Sequence, residues 1–369
     1  MTPEELRADI PALDDAVYLN TGAGSPSPRR VVEATETAVQ HHEYDAPTGA
    51  GTYGALSEDL TETREVVADH VGTDAESIAL TQSTTDAISR VGAAIDWQPG
   101  DVVVRTDQEH PAGILPWQRL RETHDVEVRV VDVNCGDIDR DEWRDAVSDA
   151  KLVVFSSLCW TDGARLPVGE LTDIAQDAGA RVLVDAVQSV GQHPVDVEAW
   201  GADAVAAAGH KWLLGPTGTG FLSVDDEFAR SLEPAQIGYY GVEDPESETV
   251  ELKPGAHRFE VGSVSPVPYA GLREGIATVE ELGYDTVADR VERLTDRLKD
   301  GLGDRHVSPD AYESGLVSFE ADDPVETAER LVEAGIRVRD IPPSGTVRAS
   351  VHVFNTESDI DALLDALDR

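Results

Sequence analysis

The stretch from Arg181 to Val224 constrains this chain more than any other. It opens with a short apolar run, Val182-Leu183-Val184, that stops at Asp185. A second run, Asp203 to Ala208, stops at Gly209-His210-Lys211. Both runs have the length and the turn-like ends of strands. In an α/β sheet the carboxyl ends of strands line the binding crevice. Asp185 and Lys211 are therefore candidates to face one another across a single site.

A carboxylate and an amine so placed suit pyridoxal phosphate, which forms a Schiff base with a lysine and needs an acidic partner on its ring nitrogen. A strand-end Asp is common and most lysines are solvated, so the pair alone leaves the question open. Lysine is scarce here, however: the chain has only Lys151, Lys211, Lys253 and Lys299. One of the four sits between His210 and Trp212 in an apolar segment.

The same segment resembles the class V, cysteine desulfurase-like branch of the fold-type I pyridoxal phosphate enzymes. That branch carries D-x-x-Q at a strand end and a lysine loop G-H-K-[WFL]-x-x-G-P-x-G-x-G. Asp185, Gln188, His210, Lys211 and the run Gly215 to Gly220 match position by position. The resemblance implies that Lys211 holds the cofactor, Asp185 its ring nitrogen, Gln188 its ring hydroxyl and His210 its phosphate. Ala208 stands where many members have a Ser or Thr phosphate ligand.

Other stretches carry the resemblance further. Ile78-Ala79-Leu80 reads as a strand, followed by Ser83-Thr84-Thr85-Asp86-Ala87 and a helix. A strand, a hydroxyl-rich turn and a helix N-terminus make an anion site, although Ser and Thr also serve as ordinary caps. The turn is similar to the family's phosphate loop, with Ser83 replacing the usual Gly, and implies Thr84 and Thr85 as phosphate donors. Glu109-His110, with Pro116 and Trp117, resembles an E-H segment whose His stacks on the pyridine ring; Gly113 replaces an Asn there, and Trp117 reads as core. Trp160 stands where desulfurases carry Asn, as in epimerase-like members. Tyr18 to Pro28, with Asn20, resembles the entry segment beside the substrate. Arg258 to Ser263 resembles R-F-E-x-G-[TS], whose hydroxyl, here Ser263, reaches the cofactor phosphate of a neighbouring subunit. Arg348, in Arg348-Ala349-Ser350, resembles the arginine that binds the substrate α-carboxylate.

The resemblance implies fold-type I: a large α/β domain with a mostly parallel mixed sheet and a smaller C-terminal α+β domain. The expected division is an N-terminal arm, 1–16, a large cofactor-binding domain, 17–253, and a small domain, 254–369. Alternating strands and helices argue for the parallel sheet independently. A homodimer with shared sites and an amino-acid substrate follow from the same resemblance.

Composition bounds the rest. The 369 residues hold 40% hydrophobic side chains, enough for a sizeable core. The net charge of −43 repels nucleic acid and anionic membrane. The acids are spread along the whole chain, and Arg greatly outnumbers Lys, which points to a salt-adapted cytoplasmic protein. Two cysteines, Cys135 and Cys159, without a C-x-x-C, support neither a disulfide framework nor a zinc site, and no metal is expected. The N-terminus lacks the apolar core of a signal peptide, and no stretch is apolar enough to span a bilayer.

The expected function is pyridoxal phosphate chemistry on an amino acid, either class V transamination or C–S and β-elimination. A cysteine desulfurase or selenocysteine lyase-like enzyme ranks second, because Ile336 to Thr346, where desulfurases carry their catalytic cysteine, has none. An acidic scaffold without cofactor ranks last.

Overall fold

The computed structural model describes residues 1–368. The chain first caps a short helix, Pro3–Ala8, with Thr2 and Glu5 in a reciprocal capping box, then forms β1, Val17–Tyr18. Seven strands follow: β2 (Ile78–Thr81), β3 (Val102–Thr106), β4 (Glu127–Val131), β5 (Leu152–Ser156), β6 (Arg181–Asp185), β7 (Ala204–Ala208) and β8 (Gly220–Val224). They build one sheet in the order β2-β8-β7-β6-β5-β3-β4. Four neighbouring pairs are parallel; β8 runs antiparallel to both β7 and β2. This is the mostly parallel mixed sheet of the fold-type I class.

Alternation within the strands sorts two cores. Val153, Phe155, Val182, Val184, Val205 and Ala207 pack on one face, and Leu152, Val154, Leu183, Ala204 and Ala206 on the other. Strands buried on both faces read as continuous apolar runs, which is why β5 to β7 stand out in the sequence. Because β3 is flanked by β4 and β5, the chain reverses its direction of winding beside β3, and the crevice opens at the carboxyl ends there.

The remaining strands are β9 (Leu316–Glu320), β10 (Ile336–Arg337), β11 (Arg339–Ile341) and β12 (Thr346–Ser350). β11, β12 and β9 form an antiparallel sheet. The stretch expected as one strand, Ile336 to Val338, is split: β10 pairs with β1, and β11 turns into the other sheet. The final strand ends at Ser350, where the backbone N–H of Val351 leaves the ladder and donates to Gly315 O at 2.7 Å.

The N-terminal arm packs with the C-terminal unit. Leu6, Ile10, Leu13 and Leu19 are buried among Leu294, Leu298, Val317, Ile336 and Val347. Val17, the expected first residue of the large domain, pairs with Ile336. The helix Val267–Leu282, expected in the small domain, packs on the helices Arg29–Gln40 and Thr52–Val71 of the N-terminal half. The apolar partners of the arm thus lie some 300 residues downstream.

Candidate active site

Asp185, Lys211 and His110 come from a strand end or from a loop that follows one. Asp185 ends β6 beside Ser156, the last residue of β5. Its Oδ1 accepts from Val187 N–H at 2.9 Å. Burial pushes its carboxyl up to about 6, against the Val187 hydrogen bond and the charge of Lys211. Lys211 follows β7 by three residues and is partly buried. Burial draws its ammonium down to about 8; Asp185 opposes this, and Arg348 and Arg339 reinforce it.

The lysine loop is tied closed by Gly209 N–H to Thr219 O at 3.0 Å, Gly215 N–H to Gly209 O at 2.9 Å and Leu214 N–H to Lys211 O at 3.1 Å. Leu214 sits at φ +59°, a costly conformation for a branched residue, and is held there by full burial. The loop presses on Gly191, at φ +93°, where any Cβ would lie 2.5 Å from the Trp212 carbonyl carbon. Only glycine fits.

Gln188 lies beneath the loop. Its Oε1 accepts from Trp212 Nε1–H at 2.8 Å, and its Nε2 donates one hydrogen to Gly22 O at 3.0 Å. The second amide hydrogen remains available. Gly22 also brings the Tyr18 to Pro28 segment over the site. A Cβ at Gly22 would lie 2.6 Å from Arg348 Nη2 and would displace that guanidinium. Asn20 bridges to Ser350, and its buried Oδ1 has no partner.

The helix Thr84–Ala94 begins earlier than its apolar pattern suggests, with Ser83 as N-cap accepting from Asp86 N–H at 3.1 Å. Thr84 is buried with an unpartnered Oγ1, whereas Thr85 is exposed. Gly220, paired with Ala208, packs directly on the Ser83 backbone, which brings this N-terminus next to the loop that carries His210. His210 Nδ1 is buried and unpartnered. Burial and the Lys211 charge lower its imidazole, favouring the neutral form.

His110 sits edge-on to Trp160, with ring centroids 5.1 Å apart. Its Nδ1 accepts from Ala112 N–H at 3.2 Å. Burial, then the charges of Lys211, Arg339 and Arg348, hold it near 4, so it is neutral at pH 7. Arg348 is fully buried in β12. Its Nη1 donates to Trp160 O, while Nε and Nη2 have no partner. Those two N–H groups form the fork that binds carboxylates bidentately. Burial and Arg339 lower its guanidinium to about 9.

Ser263 lies apart from this constellation within one chain. It is exposed, and its hydroxyl hydrogen-bonds Tyr239 Oη at 2.7 Å. Trp117 is fully buried core. Two further groups had no role assigned from the sequence. Glu109 is buried, accepts from Thr106 Oγ1, Ser156 N–H and Ser156 Oγ, and is raised to about 7 by burial. Arg339 lies directly opposite Arg348 across the β11–β12 ladder. Among the described residues no cluster of three or more His, Cys, Asp or Glu side chains could hold a metal.

The orphaned buried groups test the fit of pyridoxal phosphate. The first turn of the helix Thr84–Ala94, with the unpartnered Thr84 Oγ1, and the His210 imidazole suit a phosphate. Asp185 suits a ring nitrogen, the spare Gln188 hydrogen a ring hydroxyl, and Lys211 the aldehyde carbon. The residues fit the group.

Comparison with known proteins agrees. The family profile described as Aminotransferase class-V matches residues 17–363. A probable cysteine desulfurase of Methanothermobacter thermautotrophicus is 35% identical over 397 residues, covering all of this chain and 98% of the relative. The apo structure of a cysteine desulfurase from Thermococcus onnurineus superposes with a TM-score of 0.92 at 29% identity, covering 100% of this chain and 98% of that one. The cystine C–S lyase C-DES, solved with its product cysteine persulfide, gives 0.90 at 26% identity, covering 97% and 98%. Two of these relatives are named as cysteine desulfurases and the third as a cystine C–S lyase. With a profile spanning nearly its whole length and these neighbours, the chain belongs to the class V aminotransferase family of pyridoxal phosphate-dependent enzymes.

Proposed function

We propose that the protein is a C–S lyase that eliminates a sulfur leaving group from Cβ of an amino acid without passing sulfur to a protein thiol. One observation carries this reading. Ile341 and Thr346 are paired, so β11 and β12 are joined by a tight hairpin, Pro342-Pro343-Ser344-Gly345. The hairpin has no cysteine and is too short to fold back over the crevice. Cys159 is fully buried among core residues, and burial raises its thiol well above the ordinary range. Cys135 is exposed and contacts Val307 O at 3.6 Å. Neither supplies a thiolate at the site.

Bound pyridoxal phosphate supplies the electron sink that lets the Cα–H bond break. Arg348 orients the substrate through its free fork. Lys211, with an amine near 8, takes the Cα proton and can return it to the leaving sulfur. Asp185, still largely ionised at neutral pH, would supply the negative charge that the ring nitrogen needs. Neutral His110 would border the ring without adding charge. The Cβ–S electrons leave on sulfur, and the released aminoacrylate hydrolyses to pyruvate and ammonium.

The test is a panel of cystine, β-chloroalanine, cysteine and amino acids with 2-oxo acids. Pyruvate formation that persists in Cys135→Ala/Cys159→Ala is expected. Amino transfer dependent on a 2-oxo acid would make it an aminotransferase. The relatives' desulfurase names support a second reading, in which sulfur passes to an external thiol; cysteine turnover that requires an added thiol, without pyruvate, would establish it. We also infer a cytoplasmic homodimer in which Ser263 reaches the partner's phosphate site. The exposed aromatic and apolar side chains of Tyr44, Tyr53, Ile237 and Tyr239 support it, and sedimentation at a monomer mass would refute it.

A further inference from the structure

We infer that Trp212 is a positioning residue, whose indole N–H anchors the amide of Gln188 so that this side chain offers the cofactor's ring oxygen a donor and not an acceptor. The orientation follows from the chemistry of the two partners. An indole nitrogen only donates, and a backbone carbonyl only accepts. Trp212 Nε1–H meets one end of the Gln188 amide at 2.8 Å, and Gly22 O meets the other at 3.0 Å. The amide oxygen therefore faces Trp212, and the amino group faces Gly22. Turning the amide over would set N–H against N–H and oxygen against oxygen in a buried site. Donation to the amide oxygen also polarises the amide, which strengthens the amino hydrogen left free for a ligand. Trp97 and Trp143 give their N–H groups to the backbone carbonyls of Gly92 and Leu171. Trp212 gives its own to a side chain of the site.

Trp212 is itself held from the C-terminal part of the chain. Its ring stacks on His352, with centroids 5.5 Å apart and 25° between the planes, and His352 stacks in turn on Phe354. Burial holds the His352 imidazole near 4, so it carries one proton at pH 7. Its Nδ1 accepts from Val353 N–H at 2.7 Å, which leaves that proton on Nε2 to be donated to Trp212 O at 3.2 Å. A Cβ at Gly315 would lie 3.2 Å from Trp212 Cη2. Gly315 N–H also donates to Gln192 Oε1 at 2.7 Å, and Gln192 Nε2 donates to Gln188 O at 2.5 Å. The backbone and the amide of Gln188 thus both rest, through one intermediate side chain each, on Gly315 and His352. This role holds whichever reaction follows.

Two measurements test it. Apoprotein is titrated with pyridoxal phosphate and with 3-deoxypyridoxal phosphate, which lacks the ring hydroxyl, and the ratio of the two dissociation constants is compared across variants. Gln188→Met should lower the preference for the hydroxyl at least tenfold, the scale of a hydrogen bond to a charged oxygen. Trp212→Phe, which keeps an aromatic ring and removes only the donor, should lower it at least threefold. The double variant should fall no further than Gln188→Met alone, because the indole acts through the amide. Equal weakening of both ligands in Trp212→Phe, or a further fall in the double variant, would overturn the assignment and leave Trp212 as core. The second measurement needs no change at Trp212. In protein labelled with nitrogen-15 tryptophan, one of the six indole N–H signals should shift and exchange faster with D2O in Gln188→Met. Six unchanged signals would equally overturn the anchor.

Discussion

At the scale of single residues, the site is a set of charges moved off their ordinary values by burial. Lys211 shows the purpose: an amine lowered to about 8 has a substantial neutral fraction near pH 7.5. Lys211→Ala should abolish turnover, and borohydride reduction followed by peptide mapping should label Lys211 in wild type; label on another lysine would sink the assignment. Arg348→Lys should raise KM for amino acids about a hundredfold, because an ammonium cannot reproduce a bidentate fork, while the visible absorbance of bound cofactor stays unchanged. Glu109 makes a different prediction. Its carboxyl rises from an ordinary 4.5 to about 7 on folding. Between these values the folded chain holds a proton that the unfolded chain has lost, so the group's contribution favours folding at low pH and is lost as pH rises through the window. Glu109→Gln should abolish that loss, raising stability at pH 8 relative to wild type by up to about 3 kcal/mol. A pH–stability profile of apoprotein that is parallel in wild type and variant would refute it.

At the scale of elements, the helix and loop segments are held by polar anchors under the sheet edge. Arg64 and Glu260 form a buried bidentate pair at 3.0 Å and 2.6 Å, and Glu260 Oε1 also accepts from Leu80 N–H of β2 at 3.0 Å. Glu260→Ala leaves a buried arginine and a buried amide unpaired, and should cost about 3–5 kcal/mol in urea unfolding. Arg64→Met with Glu260→Leu should cost clearly less; an equal cost would show that shape rather than charge holds the segment. What the sequence made legible follows the same scale. Asp185, Lys211 and His110 were readable because each ends or follows a continuous apolar run, and such runs are strands buried on both faces. Thr84 was readable from its hydroxyl turn. Arg339 was not, because the expected strand, Ile336 to Val338, stops short of it, and the break at Val338 is decided by two partners far away, Val17–Tyr18 and Thr346–Ser350. The helix Thr52–Val71 starts within a stretch whose Gly49, Gly51 and Gly54 suggest a loop. There, packing against the helix Val267–Leu282 outweighs local propensity.

At the scale of the whole molecule, the charge is a structural variable. Seventy-two carboxylates face 29 basic side chains. Even with every cation paired, most acids have no partner, so their mutual repulsion opposes the compact state. Exposed pairs such as Arg129–Asp149 and Arg297–Asp361 pull the other way, but each is worth only about 0–1 kcal/mol and weakens with salt. Repulsion therefore dominates the salt response. The screening length falls from about 10 Å at 0.1 M to about 3 Å at 1 M. The thermal midpoint of the apoprotein should rise by about 10 °C between 0.1 M and 2 M KCl, with most of the gain below about 1 M. That curvature separates screening from the excluded-solute effect of salts, which grows steadily with concentration. Replacing ten exposed, unpaired Asp and Glu by Asn and Gln should raise the midpoint at 0.1 M and flatten the whole curve. A midpoint that is flat or falling with KCl in the wild type would mean that the acidic surface is already neutralised by its own arginines.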